Sequence, residues 1–180
     1  PSQGPHVVGG SATVEVAAAY FAGGPLSDAE VNWSLTTSLS SYTPPNRSEY
    51  TFGSWTPWWE APPSGHSRAN YSYLSGRTDS SGKHVVGLDF ESVNPPRAST
   101  VSAQATVQDV NRQTFSSTST LLVHPSNHYV GLKSQRTFIR AGETLKLDAI
   151  VVDIDGKTLQ GRDIDITATR LEWTSIKGKW

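Results

Sequence analysis

The sequence contains no cysteine. That absence removes disulfides, thiolate nucleophiles, cysteine-based zinc sites and thioesters together. It leaves the compartment open, because large bacterial envelope proteins often do without disulfides that smaller secreted domains need. Charge is also scarce: 15 Lys and Arg stand against 16 Asp and Glu, for a net charge of -1. The basic residues are scattered, so neither a stripe suited to nucleic acid nor a solvating acidic tail is present, and no nucleic-acid partner is expected. No apolar run approaches the roughly 20 residues that span a bilayer, so no membrane contact is expected within the segment. A basic n-region followed by an apolar h-region, the pattern of a secretory signal, is missing too. The chain starts at Pro1 without an initiator Met, as if cut from something longer. Finally, no ten-residue stretch keeps a 3.6-residue apolar period, and the crossover helices of a parallel sheet are lacking.

What is present is alternation. In "SATVEVAAAYF", Ala12, Val14, Val16 and Ala18 alternate with Ser11, Thr13, Glu15 and Ala17. In "AEVNWSL", Val31, Trp33 and Leu35 share one face; in "STVSAQATVQD", Val101, Ala103, Ala105 and Val107 do. "TLKLDAIVVD" and "DIDITATRLEW" read the same way, the latter with Ile164, Ile166 and Ala168 opposite Asp163, Asp165 and Thr167. Such segments are half-buried strands. "AGGPLSD", "TDSSG" and "DIDG" punctuate them with residues that supply side-chain-capped turns and positive φ, expected at Gly82 and Gly156. Short strands with turns about every 8 to 12 residues predict an all-β protein built as an antiparallel β-sandwich. The expected core positions are Trp33, Val14, Val16, Phe90 and Val107.

The 180 residues suit one or two domains. The boundary is expected in "LLVHPSNHYVGL", where a strand ends near Val123, Pro125, Ser126 and Asn127 break it, and another begins near Tyr129. Residues 1–124 then form one sandwich with an aromatic and proline-rich insertion around 42–66. Residues 125–180 hold roughly three or four strands, too few for a seven-stranded sandwich. This second domain reads as incomplete, with open edges and an apolar face that need a missing segment or a neighbour.

These residues resemble the macroglobulin-like domains of bacterial alpha-2-macroglobulins. "VEVAAAYFAGGPLSDAEVNWSL" is similar to a strand–turn–strand unit of that family, and "YTPPNRSEYTFGSW" continues its Tyr-Pro-Pro loop. "SGRTDSSGKHVVGLDF" resembles its Thr-Asp-x-x-Gly hairpin. "ATVQDVNRQTFSSTSTLLVHPSNHYVGLKS" resembles the last strands of one domain and the entry to the next, and "FIRAGETLKLDAIVVDIDGKTLQGRDIDITATRLEW" the opening half of that next domain. The resemblance covers nearly the whole chain and implies the fold of a macroglobulin-like, fibronectin type III or Ig-like sandwich followed by a partial second one. It also implies an extracytoplasmic parent: a broad-spectrum protease inhibitor that is cut in a bait region and collapses around the protease. The family thioester motif, Cys-Gly-Glu-Gln, cannot occur in a chain without cysteine.

Candidate chemistry is thin. His124 and His128 are four apart, but Pro125 and Asn127 argue against a helix that would bring them together, and no third ligand is near. Asp153 and Asp155 resemble the start of a calcium loop that lacks its other ligands, so a hairpin turn is the better reading, as for Asp79. Glu49, Glu60, Asp89 and Glu91 are acids without a spacing that pairs them. Asn32, Asn46 and Asn70 open N-x-[ST] triplets, treated as chance in the Ser- and Thr-rich bacterial protein that the resemblance implies. No catalytic residue, metal site or cofactor is therefore expected, and the protein reads as a non-enzyme.

The segment "SWTPWWEAPPSG" places three of the six tryptophans, Trp55, Trp58 and Trp59, among Pro57, Pro62 and Pro63. With Tyr42, Tyr50 and Phe52 they form either a small core folded back onto the sandwich, a docking surface for a neighbouring domain, or a carbohydrate platform. The resemblance favours the first two. It implies a scaffold segment of a protease trap whose partners are neighbouring macroglobulin-like domains and, through the intact protein, target proteases. The alternatives are a carbohydrate-binding module using Trp55, Trp58 and Trp59, or generic Ig-like surface or adhesin domains.

Overall fold

The computed structural model describes residues 1–54, 70–93, 96–136, 139–140 and 142–169. Among these, regular structure is all strand: His6–Val7 (β1), Ser11–Ala17 (β2), Glu30–Leu39 (β3), Thr51–Phe52 (β4), Asn70–Arg77 (β5), Lys83–Asp89 (β6), Ser99–Gln108 (β7), Thr114–His124 (β8), His128–Ser134 (β9) and Leu147–Asp153 (β10). They form a five-stranded sheet in the order β1-β8-β7-β3-β5, a two-stranded sheet β2-β6, and a three-stranded sheet β10-β9-β4. The pairings are antiparallel except for β1, which runs parallel to β8.

The first two sheets face each other across one core. Alternation drives this: Ala12, Val14 and Val16 of β2 and Val86 and Leu88 of β6 turn inward, with Phe90 just beyond. From the other side come Val31 and Trp33 of β3, Val101, Ala103, Ala105 and Val107 of β7, and Leu121 and Val123 of β8. The register sets Trp33 directly opposite Ala105 on β7, so a small side chain leaves room for the indole. Trp33 is 2% exposed. Its Nε1 donates to His84 Nδ1 at 3.1 Å, a bond reaching from the five-stranded sheet to β6. Thr78 is an anchor the alternation did not suggest. Its buried hydroxyl donates to the Leu26 carbonyl at 2.5 Å and accepts from the Ala29 N–H at 2.9 Å, fixing the turn before β3.

Three tight turns share one construction. At each, an Asp backbone N–H donates to the carbonyl of the residue four positions on: Asp79 to Lys83, Asp109 to Gln113, Asp153 to Lys157. The same Asp's Oδ1 accepts that later residue's N–H at 3.0, 2.8 and 2.8 Å respectively. Hydrogen bonds from Lys83 and Ser81 pull the Asp79 carboxyl below its usual range. The fourth residue takes positive φ: 76° at Gly82, 84° at Gly156 and 63° at Arg112. At Arg112 a side chain occupies the left-handed region, which costs about 1 to 2 kcal/mol, partly offset by the extra chain entropy glycine would lose. Arg112→Gly is expected to stabilise by roughly 0.5 kcal/mol and raise the unfolding midpoint by about 1 to 2 °C. A lower midpoint would show that the arginine side chain contributes a contact of its own.

Three features depart from the sequence reading. The segment 163–169 forms no strand, and Ile166 is 58% exposed. Alternation supplies a face, but a strand also needs a neighbour for its N–H and C=O groups, and no described strand pairs with this segment. Secondly, β5 emerges from "NYSYLSGR", where strand patterning is weak. Thirdly, the 42–52 stretch does not add to the first sandwich: β4 pairs with β9, with Thr51 opposite Leu132 and Phe52 opposite Gly131.

Candidate functional site

The main convergence of side chains lies where the five-stranded sheet hands over to the three-stranded one. β8 ends at His124, Pro125–Asn127 turn the chain, and β9 begins at His128. Proline ends the ladder because it lacks an N–H and fixes φ. His124 is buried, and its Nδ1 lies 2.7 Å from the Tyr129 hydroxyl. The Tyr42 ring meets the imidazole in a T-shaped contact at 4.6 Å and the Tyr129 ring at 5.3 Å. Phe52 stands edge-on to Tyr129 at 6.4 Å and 6.5 Å from Tyr50. Gly131 is what admits Phe52, since a Cβ there would lie 2.6 Å from its ring.

Polar bonds hold the same stretch from its other side. The Tyr42 hydroxyl donates to the Ile154 carbonyl at 2.7 Å. Arg47 donates from Nε to the Gly156 carbonyl at 2.8 Å and from Nη2 to Thr158 Oγ1 at 3.0 Å. Pro44 is fully buried between these contacts. Residues 42–52 thus join the end of β8, the face of β9 and the turn after β10. Burial, helped by Tyr42, pushes the Tyr129 hydroxyl up to about 12; burial and then Asp155 and Asp153 raise Tyr42. Burial and then His6 push the His124 imidazole down.

His124 and His128 do not converge. The first bonds Tyr129; the second, exposed, lies 3.1 Å from Ser126 Oγ. Asp153 caps its own turn, and among the described residues no three His, Cys, Asp or Glu side chains gather as metal ligands. Glu49, Asp89 and Glu91 are exposed, and Asn32 donates to Glu30 Oε1 at 2.9 Å. Glu60, Trp55, Trp58 and Trp59 lie outside the described residues, so the tryptophan segment is not placed. Tyr50 and Phe52 sit against β9, beside a groove of about 530 Å3 that Tyr42, Phe52, Pro125 and Tyr129 help to line. Sequence distance concealed this cluster: Tyr42 and Ile154 are 112 positions apart.

No family model matches the chain. It is 26% identical over 172 residues to an alpha-2-macroglobulin homolog of Nostoc sp., a match covering 94% of this chain and 9% of that protein. Escherichia coli alpha-2-macroglobulin activated by porcine elastase superposes with a TM-score of 0.61 at 12% identity, over 87% of this chain and 14% of that one. In sequence and in fold the chain is similar to bacterial alpha-2-macroglobulins. The methylamine-reacted Salmonella alpha-2-macroglobulin has the same fold, with a TM-score of 0.58 at 11% identity over 88% of this chain and 11% of that one. The macroglobulin-like segment is also 31% identical over 170 residues to circularly permutated Ras protein 2 of Dictyostelium discoideum, covering 89% of this chain and 4% of that protein. It spans less than a tenth of the length of either sequence relative. Among the described residues, no helix is long and apolar enough to cross a membrane.

Proposed function

We propose that this segment is structural scaffold in an alpha-2-macroglobulin-like protease inhibitor. It performs no catalysis itself and serves inhibition only within the intact molecule. The observation that carries the reading is the likeness to the Nostoc homolog across 94% of the chain. One solved neighbour's activation by porcine elastase supports a protease as the parent's target. The division into a sandwich over 1–124 and the opening of a second over 125–180 belongs to this proposal, amended by the pairing of β4 with β9. Exposed Val130, Leu132 and Leu147 on the three-stranded sheet support further macroglobulin-like domains of the parent as partners. An extracytoplasmic location follows from the same reading.

The full-length parent tests it. After incubation with a broad-specificity protease, cleavage of a small peptide should persist while cleavage of a large protein substrate falls. If the enzyme digests both equally well, the parent is no trap and the scaffold role must be sought elsewhere.

A further inference from the structure

We propose that the joint between the two sheets is operated by a proton: neutral His124 clamps β8 to β9, and protonated His124 releases them. This goes beyond the scaffold reading and does not rest on protease inhibition.

The geometry commits each group. His124 is the last residue of β8 and is 5% exposed. Its only side-chain hydrogen bond among the described residues is the 2.7 Å contact to Tyr129, on the other sheet. The Tyr129 hydroxyl keeps its proton, and we assign it as the donor to Nδ1 in the neutral joint, with the imidazole's own hydrogen on Nε2. Tyr42 packs across the imidazole but cannot serve it as a second polar partner, because its hydroxyl already donates to the Ile154 carbonyl. A proton on Nδ1 then sets two hydrogens face to face. The Tyr129 hydroxyl must turn its hydrogen away from Nδ1, and the charge then sits on a side chain only 5% exposed and packed against the Tyr42 and Tyr129 rings.

No neighbouring element offers relief. β1 brings His6, whose charge opposes a second one. The approach to β7 brings Arg97 beside the adjoining groove, and β9 brings Tyr129 and the exposed His128. Segment 42–52 brings Tyr42 and, toward the β10 turn, Arg47; Asp153 and Asp155 act there on Tyr42. Among the described residues no carboxylate is ion-paired to His124. The closed joint therefore takes a proton less readily than the open one. Its stability is complete above the ordinary imidazole value of about 6.5 and is lost as pH falls below it.

Amide exchange on the 180-residue chain between pH 7.5 and 5 tests this, after correction for the intrinsic pH dependence of exchange. Protection at Tyr129–Leu132 should fall by up to about tenfold per pH unit below 6.5, the slope of one proton, while β3 and β7 keep theirs. His124→Gln, whose amide oxygen accepts the Tyr129 hydroxyl but takes no proton, should make β9 protection flat. Equal pH dependence in that variant, or flat protection in the unmodified chain, would overturn the proposal. If the variant does not fold, direct NMR titration of the His124 ring in the closed joint decides: its midpoint should lie below 6.5, with β9 protection falling between 6.5 and that midpoint, and a midpoint at or above 6.5 would refute the switch.

Discussion

Replacing Trp33 with alanine is expected to cost roughly 3 to 5 kcal/mol, the range for emptying a buried aromatic site. The indole is among the largest fully buried side chains and is flanked in the sheet by Ala105 and Leu74, on β7 and β5. Ala105 is too small to collapse into the space. The change also strips His84 of its Nε1–H partner, so a ring nitrogen on the opposite sheet loses its hydrogen bond together with the packing. For a chain of this length such a loss lowers the unfolding midpoint by about 6 to 20 °C. Chemical denaturation of the two proteins measures it. A difference below about 1 kcal/mol would mean that Trp33 does not anchor the core.

Gly156→Ala is expected to have the next largest effect, on the order of 2 to 3 kcal/mol. Two costs coincide. The residue sits at φ 84°, where an L side chain is strained, and an added Cβ would overlap the Pro45 carbonyl, a backbone atom that cannot rotate aside. Either the β10 turn or the 44–47 stretch must move, which breaks the Arg47 bond to the Gly156 carbonyl. Gly161→Ala is the comparison: its φ is 66°, but an added Cβ there meets nothing within 4 Å. That variant should lose only the conformational share, about 1 to 2 kcal/mol. Equal losses in the two variants would show that Pro45 gives way without cost. Gly82→Ala should resemble Gly156→Ala, because its Cβ would strike the Ala18 carbonyl.

Much of the first sandwich was legible residue by residue. β2, β3, β6 and β7 each carry alternating apolar side chains, and a period of two lets only one face of a strand reach the core. The turns were legible too, because aspartate followed by glycine at the right offset specifies both the cap and the positive φ. β5 was not. Its core-side positions are Ser72, Leu74 and Gly76, set opposite Leu35, Trp33 and Val31; Ser72 and Leu74 stay exposed and His84 covers Gly76, so the strand itself needs little apolar signal. The segment from Asp163 erred the other way: it has the pattern of a strand and no partner among the described residues.

The aromatic cluster shows where local reading stops. Composition marked Tyr42, Tyr50 and Phe52 as a group, yet their placement on β9 depends on a glycine at 131, a two-residue pairing at 51–52 and a carbonyl at 154. Strand periodicity and turn chemistry are properties of neighbours a few bonds apart, and they are written into the chain wherever it goes. Contacts between residues some 80 to 110 positions apart carry no such mark. They form only when two separately favoured sheets meet, and their stability comes from the shape each presents to the other. The all-β class, the turns and most of the core were therefore already present in the order of residues, whereas the joint that buries His124 exists only in the folded molecule.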